Sequence, residues 1–248
     1  MFFSATGKGR HHASRSGKRS MSSAIMTSPP PTNEAELLER ARALAGMRLE
    51  QLAARAGWPC PADLRRNKGW SGQLLEALLG ADAGSLAEPD FQQIGVELKT
   101  LPVDARGQPK ESTYVCVVPL EGTRGEWKSS WVYRKLRRVL WIPVEADTAV
   151  PLPERRIGSP LLWSPDEEQE RILREDWEEL MNMVCMGELE QITARHGIAL
   201  QIRPKAANAR SLTWGIDAAG NRVPTTPRGF YLRSRFTAEI LRRYYLTD

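Results

Sequence analysis

The run DFQQIGVELKT, Asp90 to Thr100, sets an aspartate ahead of a Glu-x-Lys pair that alternates with apolar residues. In an extended strand successive side chains point to opposite faces, so Glu97 and Lys99 share one face while Val96 and Leu98 share the other. An acid and an amine then stand side by side. One reading is a half-buried strand with a solvated ion pair, which contributes almost nothing to stability. The other is a metal-dependent phosphodiesterase site. Phosphodiester hydrolysis needs an activated water, neutralised phosphate charge and a stabilised leaving oxygen. Magnesium supplies much of this while taking only one or a few protein carboxylates. Asp90 and Glu97 meet that demand if FQQIG bends, for which Gly95 is suited. Lys99 then points into the same site, where an ammonium can orient water or stabilise developing charge. Glu76 is a third available acid, at the margin of a helix from Ser71 to Leu79 whose apolar face is Leu74, Leu75 and Leu78. It can reach a site at a sheet edge or simply face solvent.

The elements that must position these residues follow from periodicity and punctuation. A first helix spans TNEAELLERARALAG, capped by Thr32 or Asn33 and ended by Gly46, and further helices fit LEQLAARAG and SGQLLEALLG. Strands are expected over 91–101, 112–119, 138–145 and 198–203. Between the last two, residues 164–197 carry early acids and helical apolar spacing, which predicts one long helix or two consecutive ones. RFTAEILRRYYL closes the chain as an amphipathic helix. Strands and helices without regular alternation indicate an α/β or α+β domain around a mixed sheet.

Composition narrows the chemistry. The first 31 residues carry five of the 35 basic side chains, Lys8, Arg10, Arg15, Lys18 and Arg19, and none of the 30 acids. The rest is near neutral, so attraction to a polyanion must come from local patches. Residues 1–31 read as a disordered basic extension ahead of an ordered domain over 32–248. The extension resembles a transit peptide in composition, and a start at Met21 or Met26 is the simpler account. No apolar run is long enough to cross a bilayer. Cys60, Cys116 and Cys185 are few, odd in number and far apart, which fits a reducing compartment and small buried side chains. Outside the extension the one histidine, His196, precedes Gly197 and reads as a residue at a helix C-terminus. No His/Cys set could hold zinc.

DFQQIGVELKT, with Glu76 upstream, resembles the core motif of the PD-(D/E)xK nuclease superfamily. NKGWSGQLLEALLGADAGSLAEPDFQQIGVELKTLPVD, KLRRVLWIPVE, GSPLLWSPDEE, LREDWEELM, ITARHG, LQIRPKAANA and PRGFYL, in that order, are similar to the MutH family of mismatch-repair endonucleases over essentially residues 32–248. The resemblance implies a restriction-endonuclease-like mixed sheet flanked by helices, with two subdomains forming a DNA-binding cleft. It implies that Asp90, Glu97 and Lys99 are the catalytic motif, Glu76 the helical acid, and Lys135, in YRKLRRVLW, a further active-site lysine; Asp90, Glu97 and Glu76 would hold Mg2+. Taken alone, Lys135 reads as one member of a basic strand edge. The implied activity is nicking of the unmethylated strand at hemimethylated GATC, by a monomer in a bacterial cytosol. MutL activates it after MutS has found a mismatch. By resemblance Arg203 and Tyr231 read bases, with Lys68, Pro204 and Lys205 as supporting DNA contacts and Tyr114 an aromatic near DNA; each could equally be ordinary surface or strand. Two alternatives compete: a type II restriction endonuclease cutting both strands at GATC, and a noncatalytic DNA- or MutL-binding protein on a nuclease scaffold, which would need a broken site.

Overall fold

The structure, a computed structural model, describes residues 28–65, 67–84, 86–205 and 211–245. The expectation for the basic extension lies mostly outside these residues. Its last part, from Ser28, is described: Ser28 donates through its N–H to the Ala77 carbonyl and through Oγ to that of Leu78.

Three helices open the described residues: α1 (Glu34–Arg42), α2 (Leu49–Ala56) and α3 (Trp70–Leu79). Asn33 caps α1 by accepting from the Glu36 N–H, satisfying one of the donors a helix start leaves free. The helix ends at Arg42, short of Gly46, which lies in the turn beyond. Glycines in the left-handed conformation bracket α3 at positions 69 and 80. Its Trp70, Leu74, Leu75 and Leu79 are buried, leaving Glu76 on the flank.

Strand β1 (Glu97–Val103) is shorter at its start than the expected 91–101, because Phe91 and Val96 pair across a tight turn with Gly95 at φ 65°. Then come β2 (Thr113–Val117), α4 (Trp131–Leu136), β3 (Val139–Glu145) and β4 (Leu161–Trp163). Helix α4 overturns the reading of Lys135 as a strand-edge residue. Ser130 starts it by accepting from the Tyr133 N–H, and the apolar spacing of Val132 and Leu136 buries one face. The long acidic segment forms a single helix, α5 (Glu167–Cys185), with a capping box between Asp166 and Gln169, followed by one 3-10 turn. His196 is therefore not at a helix C-terminus. It lies in a turn where Nδ1 accepts from the Thr193 N–H, and the Gly197 N–H goes to Glu179 Oε2. The remaining elements are β5 (Leu200–Pro204), the hairpin β6 (Thr213–Ile216) and β7 (Arg222–Thr225), β8 (Arg228–Leu232) and α6 (Ser234–Tyr245).

The strands form two small mixed or antiparallel sheets and a hairpin, ordered β1-β3-β4, β2-β8-β5 and β6-β7. β1 and β3 run parallel, with Glu97 opposite Val139 and Lys99 opposite Trp141. β3 is buried over six consecutive residues, as expected of a strand covered on both faces. Leu140 and Ile142 join the core under α1–α3, with Leu98 and Val96, while Val139 and Trp141 join the core formed by α4, α5, α6 and the β2-β8-β5 sheet. The β1-β3 pair is thus the wall between two cores, which fixes where every side chain at its starting edge can point. Of the cysteines, only Cys116 is buried; Cys60 is half-buried and Cys185 exposed, and all three are free thiols. No described helix is long and apolar enough to cross a membrane.

Candidate active site

Parallel pairing aligns the beginnings of β1 and β3. Since α4 runs straight into β3, its last turn comes to lie over the start of β1, and the Glu97 N–H bonds the Arg138 carbonyl at 3.0 Å. Two lysines from distant parts of the chain therefore meet on one carboxylate. Lys99 Nζ donates to Glu97 Oε1 at 2.6 Å and Lys135 Nζ to Glu97 Oε2 at 2.9 Å. Lys135 also donates to the Glu88 carbonyl at 2.6 Å and lies 3.9 Å from Asp90 Oδ1. Asp90 Oδ2 accepts from the Leu98 N–H at 2.8 Å, so the aspartate is tied to the strand that carries Glu97. The Phe91–Val96 turn folds Asp90 back to that position. Val96 and Leu98 point into the core beneath, as the alternation requires.

Burial overturns one of the two readings of the Glu-x-Lys pair. The Glu97 side chain is 2% exposed and those of Lys99 and Lys135 are 13% and 12% exposed, so this is no solvated strand face. Burying charge is costly unless it is paired, and here it is paired twice over. Burial, followed by the Glu97 charge, pushes the Asp90 carboxyl up to about 7, against the opposing pull of Lys99, the Leu98 N–H and Lys135. Glu76 is also raised, by burial first and by Glu97 second. Burial pulls the Lys99 ammonium down, but Glu97 and Asp90 more than offset it and its pKa stands above the ordinary lysine value. Glu76 faces β1: its Oε1 and Thr100 Oγ1 each lie 3.9 Å from where a Cβ on Gly72 would stand.

These donors suit one kind of metal and not others. Among the described residues no three His, Cys, Asp or Glu side chains are gathered into a ready cage. Magnesium does not need one, because it binds through one or two carboxylates and keeps its waters. All the donors are hard oxygens, and the Glu97 charge that opposes ionisation of Asp90 and Glu76 is one that a dication would offset. Asp90 and Glu97 fit such an ion; Glu76 lies within electrostatic reach of Glu97 without being gathered into a ligand set with them.

A second group forms on the other sheet. β8 lies between β2 and β5, so Tyr231 stands opposite both Tyr114 and Gln201, and Gly229 opposite Arg203. The two tyrosine rings meet edge to face with centroids 5.4 Å apart. The Arg203 guanidinium lies 5.8 Å from the Tyr231 ring centroid, and Lys205 Nζ sits 3.7 Å from that of Tyr114, whose hydroxyl it also contacts. Pro204 is exposed between them. Arg203 donates to Ser112 Oγ at 3.2 Å and Gln201 to the same oxygen at 2.8 Å. Burial lowers Lys205, with Lys99 adding to the shift, and raises both Tyr114 and Tyr231. Between the groups lies Cys116, pushed up to about 12 by burial, within electrostatic reach of Lys99 and Lys135 and of Lys205. Lys68, exposed just ahead of α3, makes no hydrogen bond or ion pair among the described residues and is not drawn into either group.

The model of the family described as "DNA mismatch repair enzyme MutH" matches residues 79–176, which include Asp90, Glu97, Lys99 and Lys135. A DNA mismatch repair protein MutH from Klebsiella pneumoniae (strain 342) is 59% identical over 220 residues, covering 88% of this chain and 95% of the relative. The MutH of Yersinia enterocolitica (serotype O:8) is 57% identical over 218 residues, covering 88% and 96%. The chain belongs to the MutH family. What sequence reasoning missed within these two groups are the residues that shape them without titrating. Glu88 offers Lys135 a carbonyl, and Ser112 gathers Arg203 and Gln201. At Gly229 a Cβ would stand 2.9 Å from the Tyr114 ring and 3.0 Å from that of Tyr231, so only glycine lets the two rings close over β8. A glycine inside a strand was the one available signal.

Proposed function

We propose that the chain is a magnesium-dependent endonuclease of DNA mismatch repair that nicks the unmethylated strand at hemimethylated GATC, activated by MutL. The observation that carries this reading is a buried carboxylate, Glu97, held between two lysines and beside an aspartate whose ionisation is suppressed, in a chain of the MutH family. Asp90 and Glu97 would hold the ion, with Glu76 adding negative charge nearby. Bound there, magnesium would supply an acidified water and a Lewis acid for the phosphate.

The chain's own groups do the rest. Lys99 and Lys135 are fixed donors in a water-poor site, aimed where charge accumulates on a phosphate undergoing attack. Their positions are held by packing, because β1 is anchored in both cores and α4 in one of them. Arg203, at the exposed end of β5, suits bidentate recognition of guanine, and Tyr231 beside it suits detection of an adenine amino group by packing. Lys205, Pro204 and Tyr114 would line the DNA next to them, and Lys68 a phosphate farther along. Duplex DNA would lie in a cleft between the two cores, bound by one copy of the chain.

The test is cleavage of a duplex containing one hemimethylated GATC, with magnesium, in the presence and absence of MutL and ATP. A nick confined to the unmethylated strand and stimulated by MutL is expected. Double-strand cutting indifferent to MutL would move the chain to the restriction class, and no cleavage under any condition would leave a binding protein on a nuclease scaffold.

A further inference from the structure

The run RKLRR, Arg134 to Arg138, brings four cations to the junction of α4 and β3. Three of them meet acids of the chain. Arg134 pairs with Glu88 at 3.1 Å, Lys135 with Glu97, and Arg138 makes a two-pronged contact with Glu34 at 2.8 and 2.5 Å. Arg137 is different. Its guanidinium makes no hydrogen bond or ion pair among the described residues, yet it is not simply extended into solvent. It lies against the backbone of Gly95, so close that a Cβ there would stand 2.7 Å from Nη2. Gly95 closes the turn that delivers Asp90 to Glu97, and at φ 65° it is a position that favours glycine on conformational grounds as well.

An exposed arginine without an internal acid, parked on the turn between the two carboxylates, has its charge and its five donors free for an external anion. The ion pairs to Glu97 and the near approach to Asp90 come from Lys99 and Lys135. We infer that Arg137 contacts a DNA backbone phosphate flanking the one cut at the Asp90–Glu97 site, and so positions the duplex over that site. This rests on the proposal that the chain acts on DNA. A phosphate is favoured over a base because Arg137 is exposed beside the turn that carries Asp90 and has no acid of its own among the described residues, and most protein hydrogen bonds to DNA go to the backbone.

The experiment is duplex binding by the full chain across a range of monovalent salt, with chelator present so that nothing is cut. Arg137→Gln should lower the slope of log K against log salt by about 0.9, the value for one lost phosphate contact, and weaken binding about tenfold. Arg137→Lys should restore most of the slope. Arg106→Gln, an exposed arginine in the turn beyond the far end of β1, should leave the slope unchanged. A slope for Arg137→Gln equal to that of the parent would overturn the inference, as would an equal fall for Arg106→Gln, which would mark a net-charge effect. If the parent itself bound duplex without salt dependence, the DNA reading would fail first, and that result is distinct from the other two.

Discussion

The two groups of polar side chains differ in how their charges are answered. In the Asp90–Glu97 group, every lysine has a carboxylate and every carboxylate oxygen on Glu97 has a lysine, all within a nearly closed site. In the Tyr114–Tyr231 group, Arg203 and Lys205 rest on aromatic rings and a serine hydroxyl and no acid meets them among the described residues. The first group is internally neutralised and pre-organised, as a reaction centre must be before a dication and a phosphate arrive. The second keeps its cations and ring faces open for a ligand that brings its own negative charge and its own π surface. Under the proposed function, chemistry and recognition would be separated onto two sheets, with Cys116 of β2 between them.

The sharpest break in this contrast comes from Lys99→Ala, which removes a fixed donor from the closed group. Nicking under single-turnover conditions should fall by about 100- to 1000-fold, and a fall smaller than tenfold would detach Lys99 from the reaction. Next in size, Tyr231→Ala should collapse the preference for the unmethylated strand by about 10- to 100-fold, the scale of 1–3 kcal/mol expected for a base contact, while binding to unrelated duplex changes little. Equal losses on methylated and unmethylated strands would remove Tyr231 from the reading role.

Asp90 gives a pH prediction with a defined sign. Its folded pKa of about 7 lies above the ordinary aspartate value of 3.8, so the native state holds a proton that the unfolded chain has lost between those two values. Stability from this group therefore declines as pH rises from about 4 to about 7 and stays low above that. Asp90→Asn, which keeps an acceptor for the Leu98 N–H, should melt higher than the parent at pH 8, and the gain should vanish near pH 4. The same proton must leave when a metal binds, so magnesium affinity should tighten across pH 6 to 8. A parent-minus-variant difference that is flat with pH would refute the suppressed ionisation. The smallest effect is expected at Gly229→Ala, where two half-exposed rings can give way. A loss of about 1 kcal/mol should appear as a melting shift of about 2–4 °C, with weaker strand discrimination and unchanged catalysis at saturating DNA.

Much of the closed group was legible in DFQQIGVELKT. Strand alternation placed Glu97 and Lys99 on one face and Val96 and Leu98 on the other, and Gly95 marked the turn. What alternation could not supply was the burial that separates a reaction centre from a surface ion pair, since this comes from two cores meeting at β3. Lys135 shows the limit most clearly. WVYRKL is a six-residue helix whose basic run also fits a strand edge, and its arrival at Glu97 depends on parallel pairing of β1 with β3, a nonlocal fact. β4, β6, β7 and β8 were missed for a related reason: each is three to five residues long, too short for period-two patterning to stand out. The aromatic group was assigned by resemblance alone, and its geometry depends on Gly229 and Ser112, which carry no charge to draw attention.

The division of labour between the two groups is tested most directly by Glu97→Gln, measured for both duplex affinity and nicking of a hemimethylated GATC site with magnesium and MutL. Nicking should fall by more than about 1000-fold, the scale of losing a principal metal ligand, while duplex affinity without metal stays within about twofold of the parent. Retained nicking, or affinity lost in parallel with it, would contradict the account.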